Sequence, residues 1–167
     1  MATYAAMIRF TSLLGLVLSF GCGDPGPKGF GDPADQPQLP PRGSDDLTTW
    51  IDAGYYQAWN CESEAHAPRA PSPHGRNRIC SNDALSASTG TGPYPVGSAA
   101  VKEIVSSSGA ISIYAVYRKI ADGDGGDTWY WFEGTRGDVA SNGVGDATCT
   151  SCHSRAPRDF VFTAVAP

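Results

Sequence analysis

The stretch AISIYAVYRK, Ala110–Lys119, decides the fold class. It is rich in β-branched and aromatic residues and has no helical spacing of apolar positions, so it reads as a β-strand. Six small or acidic residues follow closely, Asp122-Gly123-Asp124-Gly125-Gly126-Asp127, and they read as a turn. A calcium loop is the alternative there, but the ligand spacing and the terminal Glu are missing. The segment DTWYWFE, Asp127–Glu133, is then the return strand of a hairpin.

Working outward from this hairpin, AAVKEIVS (Ala99–Ser106) reads as a further strand, introduced by Tyr94-Pro95-Val96-Gly97. Arg78–Ser81 is a short strand, and DFVFT (Asp159–Thr163) a short last one. Gly134–Thr148 reads as a loop, followed by a single helical turn. Near the other end, Leu47, Trp50, Ile51, Tyr55 and Trp59 share one face at helical spacing, behind Asp45 or Asp46 as N-cap. Gly54 weakens that helix. The fold class expected is mainly β (α+β): an antiparallel sheet with a few short helices.

The helical turn near the C-terminus carries Cys149-Thr150-Ser151-Cys152-His153. Two thiols and an adjacent imidazole at this spacing form a c-type haem attachment site. Each cysteine adds its S–H across a haem vinyl group, and the histidine becomes the axial iron ligand. A zinc site needs a fourth ligand, and a second C-x-x-C or H-x-H is absent. A thioredoxin-like motif belongs after a first strand in a βαβ unit, which this chain does not offer.

The methionines are Met1 and Met7, both in the leader described next, so His/Met ligation of iron is excluded in the mature chain. The sixth position falls to His66, His74, a lysine, water or nothing. An iron open on its far side is the expectation, able to meet a small ligand directly.

Residues 1–21 read as a signal peptide: Arg9 is the sole charge, and a short apolar run from Leu13 to Leu18 follows. Gly21-Cys22 resembles a lipoprotein cleavage site, with Cys22 as the lipidation site and an acyl anchor holding the domain to a membrane. Ordinary secretory cleavage is the alternative, because the usual leucine three before the cysteine is displaced to Leu18. Residues 22–46, rich in Gly, Pro and Asp, form a tether, and residues 47–167 the folded domain. Of the five cysteines, two go to haem and one to lipid. Cys61 and Cys80 remain, and in an oxidising compartment they are expected to pair. The net charge of −5 and the twelve scattered Lys and Arg offer no basic stripe, so nucleic-acid binding has no electrostatic support.

Several segments in order resemble the cytochrome P-460 family, which includes the β-type cytochromes c-prime. They are Pro73-His74-Gly75 through Asn82, Tyr94–Gly97 leading into Val101-Lys102-Glu103, Trp129-Tyr130-Trp131, and Cys149–His153 followed by Asp159–Thr163. The resemblance covers residues from about Leu47 to the C-terminus. It implies an antiparallel β fold, a homodimer and one haem c per chain. It also gives Lys102 a role, because hydroxylamine-oxidising members join the lysine of the V-K-E segment to the porphyrin edge. The bland alternative is an ion-paired or snorkelling strand lysine.

By the same resemblance Arg76 or Arg78 belongs near the haem pocket. The strand after Gly109 is where a pocket acid is expected, yet Ala110–Lys119 contains no Asp or Glu. Tyr114 could donate a hydrogen bond there but is a poor base at neutral pH. Glu103 should point away from Lys102. The implied function is redox chemistry on small nitrogen species such as hydroxylamine, or binding of nitric oxide in an apolar pocket lined by Trp129, Trp131 or Phe132. Electrons would pass to a periplasmic redox partner. A membrane-tethered electron-transfer cytochrome is the alternative from another class. The sequence leaves open whether the protein is an enzyme of the hydroxylamine oxidoreductase type.

Overall fold

The computed structural model describes residues 39–167. The expected signal peptide, the expected lipidation site Cys22 and residues 22–38 of the expected tether lie outside the described residues. One six-stranded antiparallel sheet organises the chain, with the strands in simple sequence order. They are β1 (Asn60–Cys61), β2 (Asn77–Ser81), β3 (Ala99–Val105), β4 (Ile111–Lys119), β5 (Trp129–Thr135) and β6 (Asp138–Val144). Three short helices accompany them: α1 (Ser44–Asp52), α2 (Asp83–Ser86) and α3 (Ala147–His153). The domain is therefore mainly β, with its centre at the β3–β4–β5 pairings.

The sheet's two faces carry two separate apolar clusters, because alternate residues of each strand point to opposite sides. On one face Cys80, Val101, Val116, Tyr130 and Phe132 pack against Leu47, Trp50 and Ile51 of α1. On the other, Ile79, Ala100, Trp129 and Trp131 pack with Leu85, Tyr94 and Val161, and Cys149 and Phe160 border this cluster. Burying a large side chain such as fully enclosed Trp129 contributes roughly 1.5–3 kcal/mol. The second face is the one that receives the C-terminal segment.

Helix α1 is shorter than its apolar stripe. Gly54 takes a left-handed conformation (φ 74°), which ends α1 and starts a separate 3-10 turn, Tyr55–Ala58. Tyr55 and Trp59 thus leave the helix but stay with Trp50, at ring separations of 6.1 and 5.5 Å. The N-cap is Gly43, so Asp45 and Asp46 fall in the first turn, where the helix dipole favours negative charge. Ordered packing begins before residue 47: Pro40 is buried and its carbonyl accepts from Arg118 at 2.9 Å.

Two strand expectations are corrected. Residues 138–144 form β6 rather than a loop. Their sequence, DVASNGV, lacks a β-branched run because this strand is an exposed edge, held by backbone pairing to β5. Asp159–Thr163 is not a strand. Asp159 and Phe160 have φ values of 39° and 65°, incompatible with an extended run, and only an isolated bridge, Arg158–Val161, forms there. Cys61 and Cys80, directly opposed in β1 and β2, are joined by a disulfide. Among the described residues no helix is long and apolar enough to cross a membrane.

Candidate functional site

Helix α3 gathers the tail motif. Asp146 caps it, its carboxylate accepting from the Thr148 N–H at 2.9 Å. Positions 149, 152 and 153 stand three and four residues apart, so they share one helical face. Gly126 lets the β4–β5 connection approach this helix closely, since a Cβ there would lie 2.7 Å from Thr150 Cγ2 and 3.0 Å from Phe160 Cε1.

That face borders a cavity of about 520 Å³, within the range of small-molecule and cofactor sites. Cys149, Cys152 and His153 all line it. Both thiols are free and half-buried. Cys149 Sγ lies 3.3 Å from Ser141 Oγ, and burial raises its pKa. The aromatic side of the cavity includes Tyr117, Trp131 and Phe162. Around His153, the Trp131 ring centroid is 4.8 Å away and that of Phe162 5.3 Å, both edge-on.

His153 has a defined tautomer. Its Nδ1 lies 2.7 Å from the carbonyl oxygen of Phe160, which can only accept, so Nδ1 carries the proton. Nε2 is left as a free lone pair. Burial pushes the imidazole pKa down to about 4, opposed by that hydrogen bond, so the ring is neutral near pH 7. A neutral imidazole with Nδ1–H anchored on a carbonyl is the usual state of a metal-binding histidine. The cysteines and histidine do not converge on a bare ion: among the described residues no group of three or more His, Cys, Asp or Glu is so arranged. The donor set instead suits a planar group held at two thiols and one nitrogen.

Lys102, Glu133 and His74 line the same cavity. Lys102 comes from β3, and burial lowers its pKa, with the Glu133 charge opposing. Glu133 comes from β5, with His74 Nδ1 3.7 Å from its Oε1. That is too long for a hydrogen bond but close enough for electrostatic attraction. The His74 contact holds the Glu133 carboxyl below its usual range, against burial, and Lys102 adds to the effect. His74 belongs to the segment Arg69–Gly75, which forms one wall of the cavity.

Other predicted residues sit elsewhere. Tyr114 is on the α1 face, packed edge-on with Tyr56 at 6.3 Å, because it alternates with the cavity-lining Ile113 and Ala115. Arg78 bonds the Glu62 carbonyl at 2.8 Å and the Glu103 carboxylate at 3.2 Å. Arg76 reaches the Ala65 carbonyl at 2.7 Å. None of these three lines the cavity. Glu103 points away from Lys102 and accepts from Tyr56 Oη at 2.7 Å. His66 lies against Glu62, 2.9 Å from its carboxylate. Of the aromatic residues expected in the pocket, Trp131 and Phe132 border it, whereas Trp129 is buried in the core beside it.

Glu133 is the cavity carboxylate that sequence reasoning missed. The expected position of a pocket acid is on β4, whereas Glu133 lies one strand on, paired with Ala115. The signal available was the alternation that puts Trp129, Trp131 and Glu133 on one strand face. Compared with known proteins, the chain matches no family model and no curated sequence.

Proposed function

We propose that the chain is an exported, single-haem c-type cytochrome of the cytochrome P-460 type. It would be anchored through Cys22 and act on, or bind, small nitrogen species such as hydroxylamine or nitric oxide. The observation that carries this reading is the joint placement of Cys149, Cys152 and His153 on one cavity, with His153 Nδ1 committed to Phe160 and Nε2 free. Cys149 and Cys152 would hold the porphyrin by thioether bonds, and His153 would hold its iron. A bound haem c would supply one-electron redox chemistry there.

The chain's own residues then divide the remaining work. The apolar walls of Tyr117, Trp131 and Phe162 favour a small, weakly solvated ligand. Glu133, kept ionised by its neighbours, can accept a proton at a carboxylate oxygen from an N–H or O–H of such a ligand. His74 beside it stabilises that charge. Lys102, desolvated on β3, carries an amine closer to neutrality than a surface lysine, as attachment to a porphyrin edge would need. The carboxylate supports the hydroxylamine reading over simple gas storage, since nitric oxide brings no proton to remove. A homodimer and a periplasmic electron acceptor belong to the same proposal.

The test is the absorption spectrum of the ferrous protein, exported from a host competent for haem ligation. A long-wavelength Soret band supports the cross-linked, hydroxylamine-oxidising form. A high-spin spectrum without it points to gas binding, and sharp low-spin bands to electron transfer. Colourless protein, or thiols holding zinc or each other, sinks the proposal.

A further inference from the structure

The residues just after the haem motif are held with unusual force for an irregular segment. Asp159 is buried and pairs with Lys119 Nζ at 2.8 Å, side-chain exposures being 2 % and 0 %. It also accepts from Trp129 Nε1 at 3.2 Å and from the Tyr94 N–H at 2.8 Å. The other partners of Lys119 Nζ are the Gly123 carbonyl at 2.5 Å and Thr128 Oγ1 at 2.7 Å, so its three donors are all engaged. Next door, Arg158 bonds the carbonyls of Gly92 at 2.7 Å and Ser88 at 2.9 Å, and lies 3.8 Å over the Tyr94 ring. A buried ion pair is weak evidence for stability, because desolvation offsets attraction, so its effect on geometry is the better question.

That geometry leads to His153. Asp159 and Phe160 are the two non-glycine residues with left-handed backbone among those described (φ 39° and 65°). This turn aims the Phe160 carbonyl at His153 Nδ1. Left-handed conformations cost free energy in such residues and persist only where the surroundings impose them. Lys119, at the end of β4, and Trp129, at the start of β5, impose it here, and both belong to the rigid centre of the sheet. We infer that Lys119 and Asp159 are positioning residues for His153: they lock the turn whose carbonyl orients the axial imidazole and sets its donor strength. This rests on the haem reading. A hydrogen bond at Nδ1 makes imidazole a stronger donor, so a slackened turn weakens donation to iron.

The experiment compares the haem-loaded full chain with K119M/D159G, K119M/D159N and R158M. Its readouts are the ferrous iron–histidine stretching frequency and the midpoint potential, which a purely structural role would leave unchanged. Removing both partners avoids stranding a buried charge. In K119M/D159G the stretch is expected to fall in frequency and broaden, and the potential to become more positive. K119M/D159N is expected to shift both readouts less, in the same direction, since Asn tolerates the left-handed region but its single amide oxygen can accept from only one of Trp129 and Tyr94. R158M retains the ion pair and is the control, expected near wild type in both readouts; K119M/D159N decides the matter if K119M/D159G does not fold. Haem-loaded K119M/D159G with wild-type stretch and potential overturns the inference alone, as does K119M/D159N in its place. A wild-type chain without haem overturns the haem reading, and this inference with it.

Discussion

Lys102 and Glu133 stand at one level of the sheet, on either side of Ala115, which pairs with both. Two strand spacings put their backbones about 10 Å apart. The small side chain of Ala115 leaves the space between them open to the cavity, which all three residues line. An amine and a carboxylate are thereby presented to the same enclosed volume as the His153 imidazole.

Glu133→Gln keeps the shape of that wall and removes the proton acceptor. Oxidation of hydroxylamine, followed with an artificial electron acceptor, is expected to fall by about 10²- to 10⁴-fold. Nitric oxide binding, followed by absorption, is expected to stay near wild type. Equal loss of both would assign Glu133 a structural role.

Lys102→Ala addresses the other side of Ala115. Haem is expected to remain covalently attached through Cys149 and Cys152, detected by haem staining after denaturation. The long-wavelength Soret band is expected to disappear. If the band persists in the variant, Lys102 is not the porphyrin-edge nucleophile.

Glu62 supplies a pH dependence. Burial alone would raise its carboxyl pKa, but the Arg69 guanidinium, the Ile79 N–H and the His66 ring outweigh this and lower it. A carboxyl with a depressed folded pKa adds stability that is complete above its unfolded value, about 4.3, and is lost as pH falls through the folded one. Thermal unfolding of wild type should therefore lose stability below about pH 4.3 faster than Glu62→Gln does. Parallel acid limbs for the two proteins would remove Glu62 as a contributor.

The Cys61–Cys80 bridge closes a loop with a sequence separation of 19 and ties the edge strand β1 to β2. Cys61→Ser with Cys80→Ser is expected to cost about 3 kcal/mol. For a domain of this size that is a fall in Tm of about 10 °C by calorimetry. The cavity, built on β3, β4, β5 and α3, should keep its ligand properties at low temperature.

The sheet's centre was legible because Ala99–Ser106, Ala110–Lys119 and Asp127–Glu133 carry β-branched and aromatic residues between clear turn signals. Strand β6 was not, because an edge strand with one buried residue, Ser141, needs no apolar alternation. The tail segment DFVFT has the composition of a strand, yet the Asp159 contacts bend it into a left-handed turn. Composition records what a segment would do alone, and these contacts come from residues 30 to 65 positions away.

By itself the sequence determined the antiparallel β character, the pairing of Cys61 with Cys80 and the grouping of two thiols with one imidazole, because each follows from local pattern or from counting. Tertiary structure alone decided that Glu133 rather than a β4 residue faces Lys102, that Tyr114 turns to the opposite face, and that His153 donates to Phe160. Alternation along one strand groups residues by face, but which face meets the cavity, which strands lie side by side and which carbonyl meets His153 depend on strand register and on a buried ion pair, which join residues far apart in the chain.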